Sequence, residues 1–267
     1  RTDKGRFKEF DRETYDRERY LLQGKETLNT IIERSLIRYQ FQPIVDAATG
    51  DIFAYEALMR PQSDAISTPE QLLSLARSQS MVPQIERLTW FQALACFTTQ
   101  PFSQTGCRLF VNSIASQALS EPDIREIERL YGPYLNRLVM ELTEEERPDS
   151  DAMQHKLRLA GRWNAGLALD DFGMGYATFH DLQEFPMDGL KLDKSLVDTI
   201  DTEQGKVIVD GIVRTGHKLG LVVLAEGVEE EWQVDALKAL NCDLLQGYLF
   251  SLPIPASEAL RRVAGLG

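Results

Sequence analysis

The sequence predicts an α/β protein, a modified TIM-type β/α barrel whose first strand runs antiparallel to its neighbours. Three observations predict it. Beyond residue 60, short apolar stretches alternate with helical segments, the rhythm of a mainly parallel sheet covered by helices. About eight such stretches fall within roughly 230 residues, which suits a closed barrel better than an open doubly wound sheet, the alternative arrangement. The first two strands are joined only by "AATG" (47–50), too short for a parallel crossover, so they form an antiparallel pair.

Taken in order, residues 1–20 are dense in alternating charge and poor in core side chains. Residues 1–25 therefore read as a linker or the tail of a preceding domain, and 26–267 as the folded domain. Leu28, Ile31, Ile32 and Leu36 predict an amphipathic helix over 26–38. "YQFQPIVD" (39–46) and "DIFAYEALM" (51–59) read as the paired strands. Helices are expected near 69–79, 83–99, 115–131, 151–163, 201–219, 230–240 and 256–264. Between them lie the strands "CRLFVN", "RLVMEL", "GLALDD", "GLKLD", "LVVLAE" and "DLLQGY".

Composition narrows the function. With 267 residues and 43% hydrophobic content, the chain can bury one large core. A net charge of -12 argues against binding to nucleic-acid polymers, while leaving room for an anionic ligand held through metal ions. Cys96, Cys107 and Cys242 form no CxxC pattern, so a reduced, cytoplasmic setting without structural zinc is expected. No apolar run approaches 18 residues, so no membrane contact is expected from this segment. "GMGYAT" imitates a dinucleotide loop, but Thr178 takes the third glycine position and acids precede it. His180–Asp181 is accompanied only by His155 and His217, on helix-like surface segments, which speaks against a histidine-rich metal site. Trp90, Trp163 and Trp232 sit on helices and read as packing residues.

Strand ends carry the chemistry. Glu56, Asn112, Glu141, Asp170–Asp171, Lys191 with Asp193, Glu226 and Gln246 each lie at or near the end of a predicted strand. In parallel β/α folds those carboxyl ends form the ligand-binding face. Acids at strand ends commonly cap the next helix, yet several of these residues are Glu or Lys, which are poor caps. Unpaired buried acids would cost several kcal/mol each, so a cation belongs among them. Successive strand residues face opposite ways, so Asp170 and Asp171 reach one cavity only if the backbone turns where the strand enters its glycine-bearing loop. Hard cations such as Mg²⁺ or Mn²⁺ suit this oxygen set, and two of them are a recurring device for phosphodiester hydrolysis. One carboxylate about 5 Å from a phosphate repels it by roughly 3 kcal/mol at an effective dielectric near 20. Several would exclude it unless divalent ions reverse the sign.

The motifs "YEALMR" (55–60), "VNSIASQAL" (111–119), "ELTE" (141–144), "DDFGMGYATF" (170–179), "LKLDKSLV" (190–197), "AEGVE" (225–229) and "LLQGYLFSLP" (244–253) resemble the EAL-domain family in content and order. That family comprises cyclic di-GMP-specific phosphodiesterases. The resemblance covers roughly 28–264, and residues 1–16 are similar to the last strand of a GGDEF domain. It implies hydrolysis of cyclic di-GMP to linear 5′-pGpG by two Mg²⁺ or Mn²⁺ ions, with Ca²⁺ inhibitory. By motif, Glu56, Asn112, Glu141 and Asp170 would hold one ion, and Asp170, Asp171 and Glu226 the other. Lys191 and Gln246 would position water and steady charge at phosphorus, with Glu56 and Glu226 completing the catalytic set. Gln42, Leu58 and Arg60 would contact the dinucleotide, Asp193 and Glu229 would orient Lys191, and Glu144 would anchor the loop after Asp171. A homodimer and an upstream GGDEF or sensory domain are further implications. Met174 and Ala177 depart from the family's hydroxyl-bearing loop, whereas Thr178 keeps a hydroxyl. That departure is what a non-hydrolysing cyclic di-GMP sensor domain would show, the competing function; a pure interaction scaffold would leave the strand-end acids unexplained.

Overall fold

The computed structural model describes residues 24–63, 65–99, 106–143, 150–173, 182 and 185–263. The chain forms two units: one takes the chain up to Arg38 together with Arg60–Ile85, the other Tyr39–Met59 and everything from Glu86 onward. In the smaller unit, a helix α1 over 24–33 ends earlier than expected. Ser35 adopts φ 52, and Leu36 N–H reaches back to the Ile31 carbonyl at 2.8 Å, which stops the helix and frees Ile37 for a strand. Helix α2, Pro69–Ser78, starts where the Thr68 side chain accepts from Gln71 N–H, with proline in its first turn.

The larger unit is the barrel. Strands β1 (Ile37–Asp46), β2 (Ile52–Pro61), β3 (Arg108–Asn112), β4 (Leu138–Thr143), β5 (Gly166–Phe172), β6 (Gly189–Leu192), β7 (Val222–Ala225) and β8 (Leu244–Gln246) follow one another around it. The nine-stranded sheet runs β2-β3-β4-β5-β6-β7-β8-β1-β9, and a further β2–β1 pairing closes the ring. Every pair from β2 to β8 is parallel, and β1 meets β8 antiparallel with Ile44 opposite Gln246. The open-sheet alternative is thereby excluded. The short turn after β1 is built as expected: Asp46 Oδ1 accepts from Ala48 and Thr49 N–H, and Gly50 takes φ 77. A two-residue β9, Ile254–Pro255, pairs with the start of β1 and was not anticipated.

Helices α3 (Val82–Phe97), α4 (Glu121–Tyr131), α5 (Ser150–Trp163), α6 (Lys194–Val197), α7 (Glu203–Lys218), α8 (Glu231–Ala239) and α9 (Ala256–Val263) fill the connections. Two differ from expectation. α4 begins at Glu121, not near residue 115, because Ser120 caps it, accepting from Asp123 N–H at 3.3 Å, and Pro122 occupies its first turn. The single turn α6 is an addition, capped by Asp193. Trp90 and Trp163 meet edge to face, centroids 5.8 Å apart, as packing residues should; Trp232, at 45% exposure, does not.

Inside the barrel, Ile44, Ala54, Phe110, Val139, Ala168, Leu224 and Leu244 form one apolar plug. Because side chains in a strand alternate, the residue two positions on shares the plug's face. Two beyond Ala54, Phe110, Val139, Ala168, Leu224 and Leu244 stand Glu56, Asn112, Glu141, Asp170, Glu226 and Gln246. On antiparallel β1 the same step runs backwards, from Ile44 to Gln42. The plug is the floor on which the polar residues stand.

Candidate active site

Lys191 is the centre of the polar layer. On β6, with 1% side-chain exposure, its Nζ lies 2.5 Å from Glu141 Oε1, 2.7 Å from Glu226 Oε1, 2.8 Å from Asp170 Oδ1 and 3.8 Å from Glu56 Oε1. Burial opposes its charge, but Asp170, Glu141, Glu226 and Glu56 outweigh burial and hold the ammonium well above its usual range. Four carboxylates face one ammonium, so the balance is unfavourable to the acids. Burial, reinforced by Glu56, raises Glu141 well above the usual carboxylate range, and burial pushes Glu226 up to about 8.

Neutral amides stitch the ring. Asn112 Nδ2 donates to Glu56 Oε1 at 3.0 Å and to Glu141 Oε2 at 3.3 Å. Gln246 Nε2 donates to Glu56 Oε2 at 2.7 Å and to Gln42 Oε1 at 3.2 Å, and Gln42 Nε2 donates to the Ser251 carbonyl at 3.1 Å. Gln246 Oε1 is buried and accepts no hydrogen bond from the protein.

The adjacent aspartates are reconciled by a local fault in the strand. β5 continues through Phe172, its register against β6 shifts between Leu169 and Phe172, and Asp171 takes φ 57. A left-handed residue in a bulge takes its own side chain off the alternation, and the Asp171 carboxylate joins those of Asp170 and Glu226. Asp171 N–H also donates to Asp170 Oδ1 at 3.0 Å, fixing that carboxylate.

Two oxygen clusters result, Glu56–Glu141–Asp170 and Asp170–Asp171–Glu226, each with ligand atoms within 4.8 Å of one another. Asp170 belongs to both. Hard oxygen donors, a surplus of buried negative charge and one shared carboxylate fit a pair of divalent cations. Among the described residues, the Lys191 ammonium is the positive charge that faces this ring.

Some expectations need correction. Asp193 and Glu229 do not touch Lys191. Asp193 Oδ1 instead accepts from Ser195 N–H at 2.8 Å as the cap of α6, and Glu229 pairs with Lys194 at 3.3 Å. β6 ends at Leu192, so Asp193 leaves the strand's alternation and lies on its exit turn. Leu58 follows Glu56 by two on β2 and is half-buried, whereas Arg60 belongs to the smaller unit. Glu144, the His180–Asp181 pair and the loop residues Met174, Ala177 and Thr178 lie outside the described residues. Two charged residues escaped the sequence reading: Glu86 and Lys156, both buried. The signal was present, since Lys156 shares the stripe Ala152, Met153, Leu159, Ala160, Trp163, and Glu86 sits one turn before Trp90 on another apolar face.

Residues 25–253 match the EAL domain family. The cyclic di-GMP phosphodiesterase PdeL of Escherichia coli is 33% identical over 246 residues, covering 87% of this chain and 67% of PdeL. The bifunctional diguanylate cyclase/cyclic di-GMP phosphodiesterase MucR of Pseudomonas aeruginosa is 31% identical over 254 residues, covering 91% of this chain and 37% of MucR. Other curated relatives are also long, and the chain spans only 29–32% of their length. Among solved structures, "PaMucR Phosphodiesterase, c-di-GMP complex" superposes with a TM-score of 0.78 at 28% identity, covering 89% of this chain and 100% of the other. "Klebsiella pneumoniae BlrP1 pH 9.0 manganese/cy-diGMP complex" superposes at 0.71 and 25% identity, covering 83% and 57%.

Proposed function

The chain belongs to the EAL domain family, and on that premise we propose that it is a metal-dependent phosphodiesterase converting cyclic di-GMP to linear 5′-pGpG. The observation that carries this reading is the convergence of Glu56, Glu141, Asp170 and Glu226 on Lys191 at the carboxyl ends of the strands, with Asn112 bonded to Glu56 and Glu141 and Asp171 clustered with Asp170 and Glu226. The phosphodiesterase activity for which PdeL is named, and the cyclic di-GMP in the PaMucR and BlrP1 complexes, support it.

Mg²⁺ or Mn²⁺ would be held by Glu56, Asn112, Glu141 and Asp170, and a second ion by Asp170, Asp171 and Glu226. Such ions, when bound, lower the pKa of water toward 7 and offset phosphate charge. The remaining work falls to the chain itself. Lys191, kept charged by its neighbours, steadies negative charge that develops on the phosphoryl oxygens. Gln246, its amide nitrogen occupied by Glu56 and Gln42, presents a carbonyl oxygen that can accept a hydrogen bond from the attacking water and so orient it. Gln42 fixes that orientation, and Leu58 would contribute to holding the dinucleotide. Asp193 and Glu229 hold the turn that follows Lys191 through α6 and Lys194.

The same reading makes residues 1–25 a lead-in from a GGDEF or sensory domain, supported by the greater length of MucR, and the active species a cytoplasmic homodimer. Among the described residues no helix is long and apolar enough to cross a membrane. Incubation of the purified protein with cyclic di-GMP and Mg²⁺ or Mn²⁺, with pGpG followed by chromatography, tests the activity. Product is expected, and Glu56→Ala should abolish it. Tight binding of cyclic di-GMP without any product would sink the enzymatic reading in favour of a sensor domain.

A further inference from the structure

Behind Asn112 lies a second charged pair that hydrolysis does not use. Glu86 on α3 and Lys156 on α5 are each 1% exposed, and their side chains meet at 2.7 Å. Lys156 Nζ also donates to Ser113 Oγ at 2.5 Å, and the Ser113 hydroxyl donates to Glu86 Oε1 at 2.7 Å. Trp90 Nε1 donates to the same oxygen at 2.8 Å. The other oxygen, Oε2, accepts from Ile114 N–H at 3.0 Å.

Ser113 and Ile114 are the two residues that follow Asn112, where β3 ends and its pairing with β4 runs out. Ser113 N–H donates to the Glu141 carbonyl at 2.9 Å, so one short segment is tied at once to Glu141's strand and to the buried pair. A buried ion pair is seldom a gain in stability over apolar packing of similar volume. Apolar side chains, however, could not offer acceptors to a hydroxyl, an indole and a backbone N–H together. Asn112 itself is neutral and, among the described residues, its side chain makes two hydrogen bonds, at 3.0 and 3.3 Å, so its placement leans on its backbone.

We propose that the Glu86–Lys156 pair is a positioning device that fixes the Ser113–Ile114 turn and thereby holds Asn112 as a ligand for the divalent cation. This rests on the metal-dependent reading above. Neither residue reaches the cavity's reacting atoms; both act through Ser113 and Ile114.

The test is Mn²⁺ titration of the whole protein by calorimetry, alongside thermal melting, for wild type, the double variant Glu86→Gln/Lys156→Met and the single variant Ser113→Ala. The double variant leaves no unpaired charge but removes one carboxylate acceptor. It is expected to stay folded while Mn²⁺ affinity falls about 10-fold or more, the usual cost of losing support behind a metal ligand. Turnover at limiting Mn²⁺ should fall with it and recover at saturating Mn²⁺, with the KM for cyclic di-GMP unchanged. Wild-type affinity in the folded double variant would overturn the proposal. Should the double variant not fold, Ser113→Ala decides, because it deletes only the hydroxyl link: weakened Mn²⁺ binding supports the proposal and wild-type binding overturns it. Wild-type protein that takes up no Mn²⁺ would overturn the metal reading itself, and this proposal with it.

Discussion

On the proposed function Lys191 has two roles, compensating the acids and supporting turnover, that a single substitution separates. In the metal-free protein its ammonium is the cation nearest Glu141, Asp170 and Glu226, and its loss leaves three carboxylates crowded at the end of the barrel. Lys191→Met should destabilise the metal-free protein by about 3–5 kcal/mol, the range for breaking a buried pair. Added Mn²⁺ should restore much of this, while turnover stays at least about 100-fold down. Melting with EDTA and with Mn²⁺ separates the two effects. Glu226 gives a pH signature. Its carboxyl is raised from 4.5 to about 8 by burial, so between those values the folded state holds more protons than the unfolded chain, and stability falls as pH rises. Cation binding displaces that proton. Apparent Mn²⁺ affinity should therefore increase from pH 6 to pH 8, with proton release measured by calorimetry in buffers of different ionisation enthalpy. Affinity independent of pH would contradict the protonated resting state.

At the scale of elements, the bulge in β5 turns an ordinary strand into a corner with two ligands. Asp171 adopts φ 57, a region that Asn and Asp tolerate and β-branched residues do not. Asp171→Asn should melt close to wild type yet bind Mn²⁺ more weakly, whereas Asp171→Val should lower both the melting temperature and the affinity. If the Val variant melts like the Asn variant, the bulge is not under this constraint. The β7 and β8 exit loops are coupled just as closely. Val228 N–H donates to the Gln246 carbonyl at 3.0 Å, Leu249 N–H donates to the Val228 carbonyl at 3.1 Å, and a Cβ on Gly247 would collide with Val228's backbone. Gly247→Ala should cost about 1–3 kcal/mol and reduce activity by displacing the loops that begin at Glu226 and Gln246. Thermal melting and a product assay together check it. The elements were largely readable from periodicity, and their misplaced ends have identifiable causes. Ser35 stops α1 in a left-handed turn, and Ser120 with Pro122 delays α4 beyond the apolar pattern.

Across the whole molecule, the net charge of -12 and the acid-lined barrel mouth make the fold depend on what occupies that mouth. A ligand present at 100 times its dissociation constant stabilises a protein by about 2.7 kcal/mol. Mn²⁺ or Mg²⁺ at that excess should raise the melting temperature accordingly. Ca²⁺, with its larger and looser oxygen shell, should also raise it but should not support product formation. Rapid turnover in Ca²⁺ alone would refute this.

The sequence by itself determined the barrel, the antiparallel opening and the polar residue at each strand end, because these depend on local periodicity and on a four-residue turn too short for any other connection. It also marked Glu56, Asn112, Glu141, Asp170, Asp171, Lys191, Glu226 and Gln246 through motifs whose order along the chain is itself visible. Only the tertiary structure decided that Lys191 sits among Glu141, Asp170 and Glu226, that Asp193 caps a helix turn, that Glu229 turns to Lys194, and that Glu86 and Lys156 brace the turn after Asn112. Those partnerships join residues distant in sequence, through a closure and a strand register that no local pattern encodes.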